Sequence, residues 1–331
     1  MRYIGSKVSV VDELFKIIVS RVPKGLFCDP FGGIGTIGAY FKSKNFEVIS
    51  GDHLTFAHFF QITRIAQNKA PKFKNLCNIL GIDDYLEIIK ILNNLKGITG
   101  WFTHNYAIKR RFFTIQNSRK IEACYEMIKY WKQQGWINYE ENAVLIASLI
   151  NSMDKVANTA GTYYAYLKIW YPKALKPFNF NLLSYTPGNP YCKCFLCDAI
   201  DLVKRYKFDI LYLDPPYNER SYSDYYHLPE TIALNDKIKV KGKSGIPYIK
   251  RIRSEFNTKG NALKALQNIL DIANFRLLVF HYTDNGLIRT DEVRNLFSNF
   301  KGKDEYLIDS IGYTNISKTR TLKHHLYFIE S

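Results

Sequence analysis

Along Val8–Val22, apolar residues recur every three or four positions, so that Val11, Leu14, Phe15, Ile18 and Val19 share one helical face. The pattern then changes. Leu26–Asp29, Val48–Asp52 and Asp209–Leu213 are short apolar runs bounded by turn residues, as buried strands are. A helix is predicted behind the first of them, ending near Lys44. From Thr55 to Tyr185 such runs disappear, and the spacing predicts helices over Asp83–Leu95, Ser118–Gln134 (with Ser118 as cap) and Asn142–Ala157. Strand-like pattern returns at Cys194–Asp198. Helices over Ala199–Tyr206 and Asn261–Asn274 follow, with a buried strand at Leu277–Tyr282 and a turn at Thr283–Gly286. Tyr306–Ile311 and Leu326–Ile329 read as an antiparallel hairpin at a sheet edge. Strands alternating with helices on both sides of a helical block predict a doubly wound α/β sheet carrying a mainly helical insert. The expected units are 1–58 with 186–331, and 59–185.

Composition narrows the class. A hydrophobic share of 47% excludes global disorder. No run of eighteen apolar residues occurs, and MRYIGSK is not a secretory apolar core, which predicts a cytoplasmic protein without a membrane span. The net charge of +16 asks for a polyanionic partner, most simply nucleic acid. Residues 60–190 hold 17 Lys/Arg against 8 Asp/Glu, so the helical block supplies +9 of that total. The cysteines at 192, 194 and 197 lack an obvious fourth ligand, so reduced thiols are expected and no metal.

The candidate chemistry sits in loops. Asp214-Pro215-Pro216-Tyr217 follows the Asp209–Leu213 strand, and two prolines cannot continue a central strand. A stiff loop at the carboxyl edge of the sheet follows, where open α/β sheets bind ligands. It offers a carboxylate, free carbonyls and a flat ring, which together suit an exocyclic amine and a base face. Pro30-Phe31-Gly32-Gly33-Ile34-Gly35 after the first strand lets the backbone approach a ligand closely, and Asp52 ends the next strand with an acid able to hold ribose hydroxyls. Alone, Gly33-x-Gly35 fits any nucleotide site, NAD included. Lys109, Arg110 and Arg111 lie among aromatics in the insert, with Thr162-Tyr-Tyr-Ala-Tyr166 nearby in sequence. Basic residues interleaved with rings suit phosphate contact and base stacking. Residues 237–253 hold seven basic residues and no acid, and the glycines and Pro247 predict a flexible loop clamping phosphates through Lys239, Lys241, Lys243 and Arg251.

The run from Asp214 to Tyr222, continued by Tyr226-His-Leu-Pro-Glu-Thr-Ile-Ala233, resembles the adenine-specific DNA methyltransferases of the Dam and FokI type. The resemblance covers nearly the whole chain in the α order of motifs. It implies a Rossmann-like S-adenosylmethionine methyltransferase fold in which Asp214, Pro215, Pro216 and Tyr217 form the catalytic motif. Tyr3, Gly5 and Lys7 resemble the motif that lies against the methionine end of S-adenosylmethionine. Asp29, Pro30 and Phe31, with Gly33 and Gly35, resemble the glycine-loop motif, Asp52 the ribose acid, and Asp198 the acid facing the cofactor's adenine. Tyr222, Tyr225, Tyr226 and His227 are expected beside the target-base pocket, and Arg220 and Tyr222 in contact with DNA. Family members often carry Tyr-Asn where this chain has His281-Tyr282. The implied activity is methylation of adenine N6 in duplex DNA, as the modification arm of a restriction–modification system with a cognate endonuclease, by a monomer or weak dimer. A cytosine-N4 enzyme uses the same pocket logic, with serine more often in place of Asp214. A non-catalytic DNA-binding relative is the other alternative, and intact Asp29, Asp52 and Asp214 argue against it.

Overall fold

The computed structural model describes residues 1–235, 238–248, 253–284, 286–313 and 319–331. The strands in chain order are β1 (Leu26–Asp29), β2 (Glu47–Asp52), β3 (Lys193–Leu196), β4 (Lys207–Leu213), β5 (Val240–Lys241), β6 (Ile246–Pro247), β7 (Asn274–Thr283), β8 (Asp304–Tyr313) and β9 (Thr319–Glu330). Seven of them form one sheet in the order β3-β2-β1-β4-β7-β9-β8, and β5 pairs with β6. The first five are parallel, while β9 runs antiparallel to β7 and β8 antiparallel to β9. The expected terminal hairpin is therefore the sheet edge.

Both faces of the sheet are covered, which is why its strands read as unbroken apolar runs rather than alternating ones. Leu211, Leu213, Leu278 and Phe280 pack with Ala262, Leu266 and Ile269 of the helix Lys259–Ile272. On the other face Ile210, Tyr212, Leu277 and Val279 pack with Leu14 and Ile18 of the helix Val11–Arg21, and with Ile37 and Phe41 of Thr36–Ser43. The strand order reverses between β1 and β4. Phe27 pairs with Ile210 and Cys28 with Leu211. Asp29 at the end of β1 and Asp214 just beyond β4 therefore flank one crevice, the ligand position of such sheets.

Between β2 and β3 the chain is helical, as the spacing predicts, but two starts differ. The helix Ile115–Gln133 is capped by Thr114, whose hydroxyl accepts the Asn117 amide; Ser118 lies inside it, buried, its hydroxyl bonded back to the Ile115 carbonyl at 2.9 Å. The next helix, Tyr139–Asp154, begins at Asn138, which exchanges bonds with Glu141 in a capping box. The expected boundary at 58/59 falls inside a continuous helical stretch, Thr55–Gln61 running into a wider turn, Ile62–Ala66. Ile34, Leu54 and Phe56 share one core with Phe102, Tyr106, Leu145 and Leu149, so the insert grows out of the sheet layer without a linker.

One buried carboxylate ties the two parts together. Glu230, in the helix His227–Leu234, accepts the amides of Thr55 and Phe56, both at 2.9 Å, and so caps the helix that leads into the insert. Glu230→Ala would take this partner from the buried Phe56 N–H and the part-buried Thr55 N–H, at a cost of about 1–3 kcal/mol for the buried group. Thermal unfolding should register a clear drop in Tm, and an unchanged Tm would remove Glu230 from this role. Among the described residues no helix is long and apolar enough to cross a membrane.

Candidate active site

The crevice between β1 and β4 is a cleft lined by residues 3–7, 29–34 and 52–54, by Cys197, Asp198 and Ala199, and by Asp214, Pro216, Tyr222, Ser254 and Asn257. The Asp214 loop and the glycine turn thus share one cavity, as the sequence predicts. Pro215 is buried and is not among the lining residues.

Asp214 is the candidate chemical centre. One carboxylate oxygen, Oδ2, is paired with the Lys7 ammonium. The other, Oδ1, is buried and has no hydrogen-bond partner among the described residues. Burial raises the pKa of Asp214, and Lys7 and the Tyr217 hydroxyl pull it back down without cancelling the rise. Lys7 itself is 3% exposed and donates to the Gly5 carbonyl at 3.0 Å and the Tyr217 hydroxyl at 2.7 Å as well as to Asp214. An ammonium has three protons, and these contacts use all three. Lys7, expected against the carboxylate of a cofactor, meets the Asp214 carboxylate in this structure. The Tyr217 ring stands edge-on to Tyr282 at 5.6 Å.

The glycine turn is shaped by close approach. At Gly33, with φ of +51°, a Cβ would lie 2.7 Å from the Tyr3 ring; at Gly32 it would lie 2.1 Å from Ser50 Oγ. Only glycine fits either place. Gly35 instead precedes the helix Thr36–Ser43 in a left-handed conformation, so its role is to start that helix. Asp52 accepts the Gly33 amide at 3.0 Å and the Leu54 amide at 2.9 Å, and burial pushes its pKa up. Asp29 accepts the Phe31 amide at 3.1 Å, and burial, then the charge of Asp214, raise its pKa well above the usual range. Asp198 lines the cleft and caps the helix Ala199–Val203 through the Ile200 amide. Tyr3 stacks on Tyr226 at 4.9 Å, and Tyr226 accepts the Ile4 amide at 2.6 Å, which pins the N-terminal segment over the cleft.

Several residues of the site carry no sequence signal. Gln61 is fully buried and donates to the carbonyls of Gly33 and Gly51 at 2.9 and 3.3 Å, fixing the turn from behind. Asn257 donates to the carbonyls of Asn218 and Arg220 at 2.7 and 3.3 Å and so holds the loop beyond Tyr217. His281, where the family pattern departs, is buried between the Tyr212 hydroxyl at 2.6 Å and His324 at 2.7 Å; burial, then the charge of Lys7, depress its pKa and keep it neutral.

The basic residues divide. Lys109 and Arg111 are exposed, and Arg111 also donates to the Lys168 carbonyl at 3.2 Å. Arg110 is spent on backbone: its guanidinium donates to the carbonyls of Asn105, Gly242 and Lys243 at 2.8–3.2 Å. It is a staple, and what it staples is the stretch expected to be a flexible loop. Its described part, 238–248, holds a hairpin, β5–β6, secured further by Tyr106 and Trp101, which donate to the carbonyls of Gly245 and Ile238 at 3.0 and 3.2 Å. Lys239, Lys241 and Lys243 are exposed on it, with Lys241 over the Tyr248 ring at 4.2 Å. Arg251, with Lys237, Lys250 and Asn285, lies outside the described residues. Arg220 is exposed and Tyr222 lines the cleft. Among the described residues no three His, Cys, Asp or Glu converge as a metal site.

A family model described as D12 class N6 adenine-specific DNA methyltransferase matches residues 3–306. The chain is 33% identical over 320 residues to the type II methyltransferase M.FokI of Planomicrobium okeanokoites, covering 95% of this chain and 49% of that protein. It is 29% identical over 339 residues to the modification methylase StsI of Streptococcus sanguinis, covering all of this chain and 52% of that one. Against the type II methyltransferase M.NlaIII of Neisseria lactamica it is 30% identical over 332 residues, covering 98% and 95% of the two chains. The chain thus spans about half the length of the first two relatives and nearly all of the third.

Proposed function

Because the chain belongs to the D12 class N6 adenine-specific DNA methyltransferases, we propose that it transfers a methyl group from S-adenosylmethionine to N6 of an adenine extruded from duplex DNA. The observation that carries this reading is Asp214: a buried carboxylate with one oxygen held by Lys7 and the other unpartnered in a cleft shared with the glycine turn.

The cleft suits the cofactor. Asp52 offers spare lone pairs to ribose hydroxyls, Gly32 and Gly33 line the cleft, Phe31 supplies an apolar wall, and Asp198 lines it just past the strand that pairs with β2. When bound, S-adenosylmethionine supplies an electrophilic methyl on a sulfonium. The work of the chain is to make a poor nucleophile adequate. An adenine amine has its lone pair delocalised into the ring. Asp214 Oδ1 accepts one N6–H and a carbonyl of the cleft-lining Asp214–Pro216 loop the other, which favours a pyramidal nitrogen whose lone pair points away from both. The rigid loop then holds that lone pair in line with the methyl, which is the proximity contribution. Lys7 favours the ionised form of Asp214 and occupies its Oδ2, which leaves Oδ1 without a partner among the described residues. Tyr217 lies beside the base, offsetting part of the cost of unstacking it.

The insert between β2 and β3 and the β5–β6 hairpin would grip the duplex. Lys239, Lys241 and Lys243 on a pinned hairpin are better placed for phosphates than on a mobile loop, since little ordering is lost on binding. Replacing the three with glutamine should weaken DNA binding and reduce the slope of log K against log salt by about 0.9 for each phosphate no longer neutralised. An unchanged slope would mean that the hairpin does not meet the backbone. The names of the relatives support a modification role beside a restriction endonuclease. Methylation-sensitive sequencing of DNA from cells expressing the protein tests the whole reading, because it reports base, strand and site together. Methyl groups on cytosine N4, or none at all, would overturn it.

A further inference from the structure

A base drawn into the Asp214 cleft leaves a gap between its former neighbours, and that gap opposes extrusion unless something fills it. A line of rings leads from the cleft to the surface. Tyr222 lines the cleft and meets Tyr225 edge-on at 6.3 Å; Tyr225 meets Tyr164 edge-on at 6.1 Å; and Tyr164 carries the Arg220 guanidinium over its ring at 4.8 Å. Tyr164 is 37% exposed. The backbone of Tyr163 and Tyr164 is held from three sides. The Tyr163 amide donates to the Tyr225 carbonyl at 2.8 Å, the Tyr163 carbonyl meets His227 Nε2 at 2.7 Å, and Ser244 of the hairpin donates to the Tyr164 carbonyl. The insert, the loop after Asp214 and the basic hairpin therefore converge on this one ring.

We propose that Tyr164, with Arg220 seated on it, enters the space in the duplex left by the extruded adenine, its ring stacking on the remaining bases and the guanidinium reaching the adjacent phosphate. A half-exposed ring on a clamped backbone loses little freedom when it stacks, and base–aromatic stacking tolerates any neighbouring sequence. A cation carried on the same ring places positive charge where the strand is distorted. This inference rests on the methyl-transfer reading.

The test is single-turnover methylation of two duplexes carrying the site found by sequencing. In one the target adenine faces thymine; in the other it faces an abasic position and is already weakly held. Tyr164→Ala should slow transfer on the paired duplex on the order of ten-fold or more, with a much smaller loss on the other, so that the ratio of the two rates rises by a similar factor. Tyr164→Trp should restore the wild-type ratio. With 2-aminopurine at the target position, Tyr164→Ala should lose most of the fluorescence gain that marks extrusion. Equal losses on both duplexes, or none, would overturn the proposal. Wild-type protein inactive on both would sink the methyl-transfer reading itself, and this inference with it.

Discussion

Asp214→Asn is expected to lower methyl transfer by on the order of a thousand-fold, while S-adenosylmethionine binding stays within a few-fold of wild type. The amide keeps the shape of the side chain but loses its charge, and one of its two ends becomes a donor. The unpartnered Oδ1 position then either meets the adenine amine with an N–H or offers a weak neutral acceptor. Asp214→Ala should be at least as inactive, and it also leaves the buried Lys7 ammonium without its counter-charge, a loss of about 3–5 kcal/mol in buried pairs. The asparagine variant is therefore the cleaner measurement, and calorimetric titration with the cofactor serves as the check on folding. Binding should persist because Asp52 and the Gly32–Gly33 turn are held by other bonds, through the Leu54 amide and the Gln61 side chain. Turnover near wild type in Asp214→Asn would end the mechanism.

Lys7→Met is expected to cost on the order of ten-fold or more at pH 7, and to move the acid limb of the pH–rate profile upward. The sign follows from the surroundings of Asp214. Transfer needs the carboxylate ionised, so activity is lost as pH falls through its pKa. Burial already holds that pKa above the ordinary carboxylate range, and Lys7 acts against burial. Removing the ammonium leaves burial unopposed, so the pKa rises further and activity begins at higher pH. Raising the pH should therefore recover part of the lost rate in Lys7→Met and little in wild type. The competing role, a contact with the carboxylate of S-adenosylmethionine, predicts a raised KM for the cofactor with an unmoved acid limb. That outcome would return Lys7 to the cofactor.

The two readings of Lys7 mark the line between local and distant information. Arg2–Lys7 is legible as a motif because its residues are adjacent. Which carboxylate its lysine meets depends on packing Tyr3 against Tyr226, 223 positions away, and bonding Ile4 to the same ring. Arg110 is similar. Three consecutive cations suggest phosphate contacts, yet the middle one is used up on carbonyls of a hairpin more than 130 residues on. The same bonds explain why a glycine-rich basic stretch, a flexible loop by composition, is pinned. Gln61 had no signal at all, since a glutamine on a helix is ordinary until its neighbours are known, and nothing set Tyr164 apart from the tyrosines around it.

By itself the sequence determined the parallel strands, the stiff Asp214–Tyr217 corner, the glycine turn and the acids that end β1 and β2. Each depends on bonds and dihedral limits within a few residues, or on apolar runs that stay apolar because both sheet faces are covered. Only the tertiary structure decided which oxygen of Asp214 is held and which is free, which cations remain exposed, and which ring is held where the insert, the loop after Asp214 and the hairpin meet. Those are choices of hydrogen-bond partner between segments far apart in the chain, and a side chain's partners are set by where the fold places it.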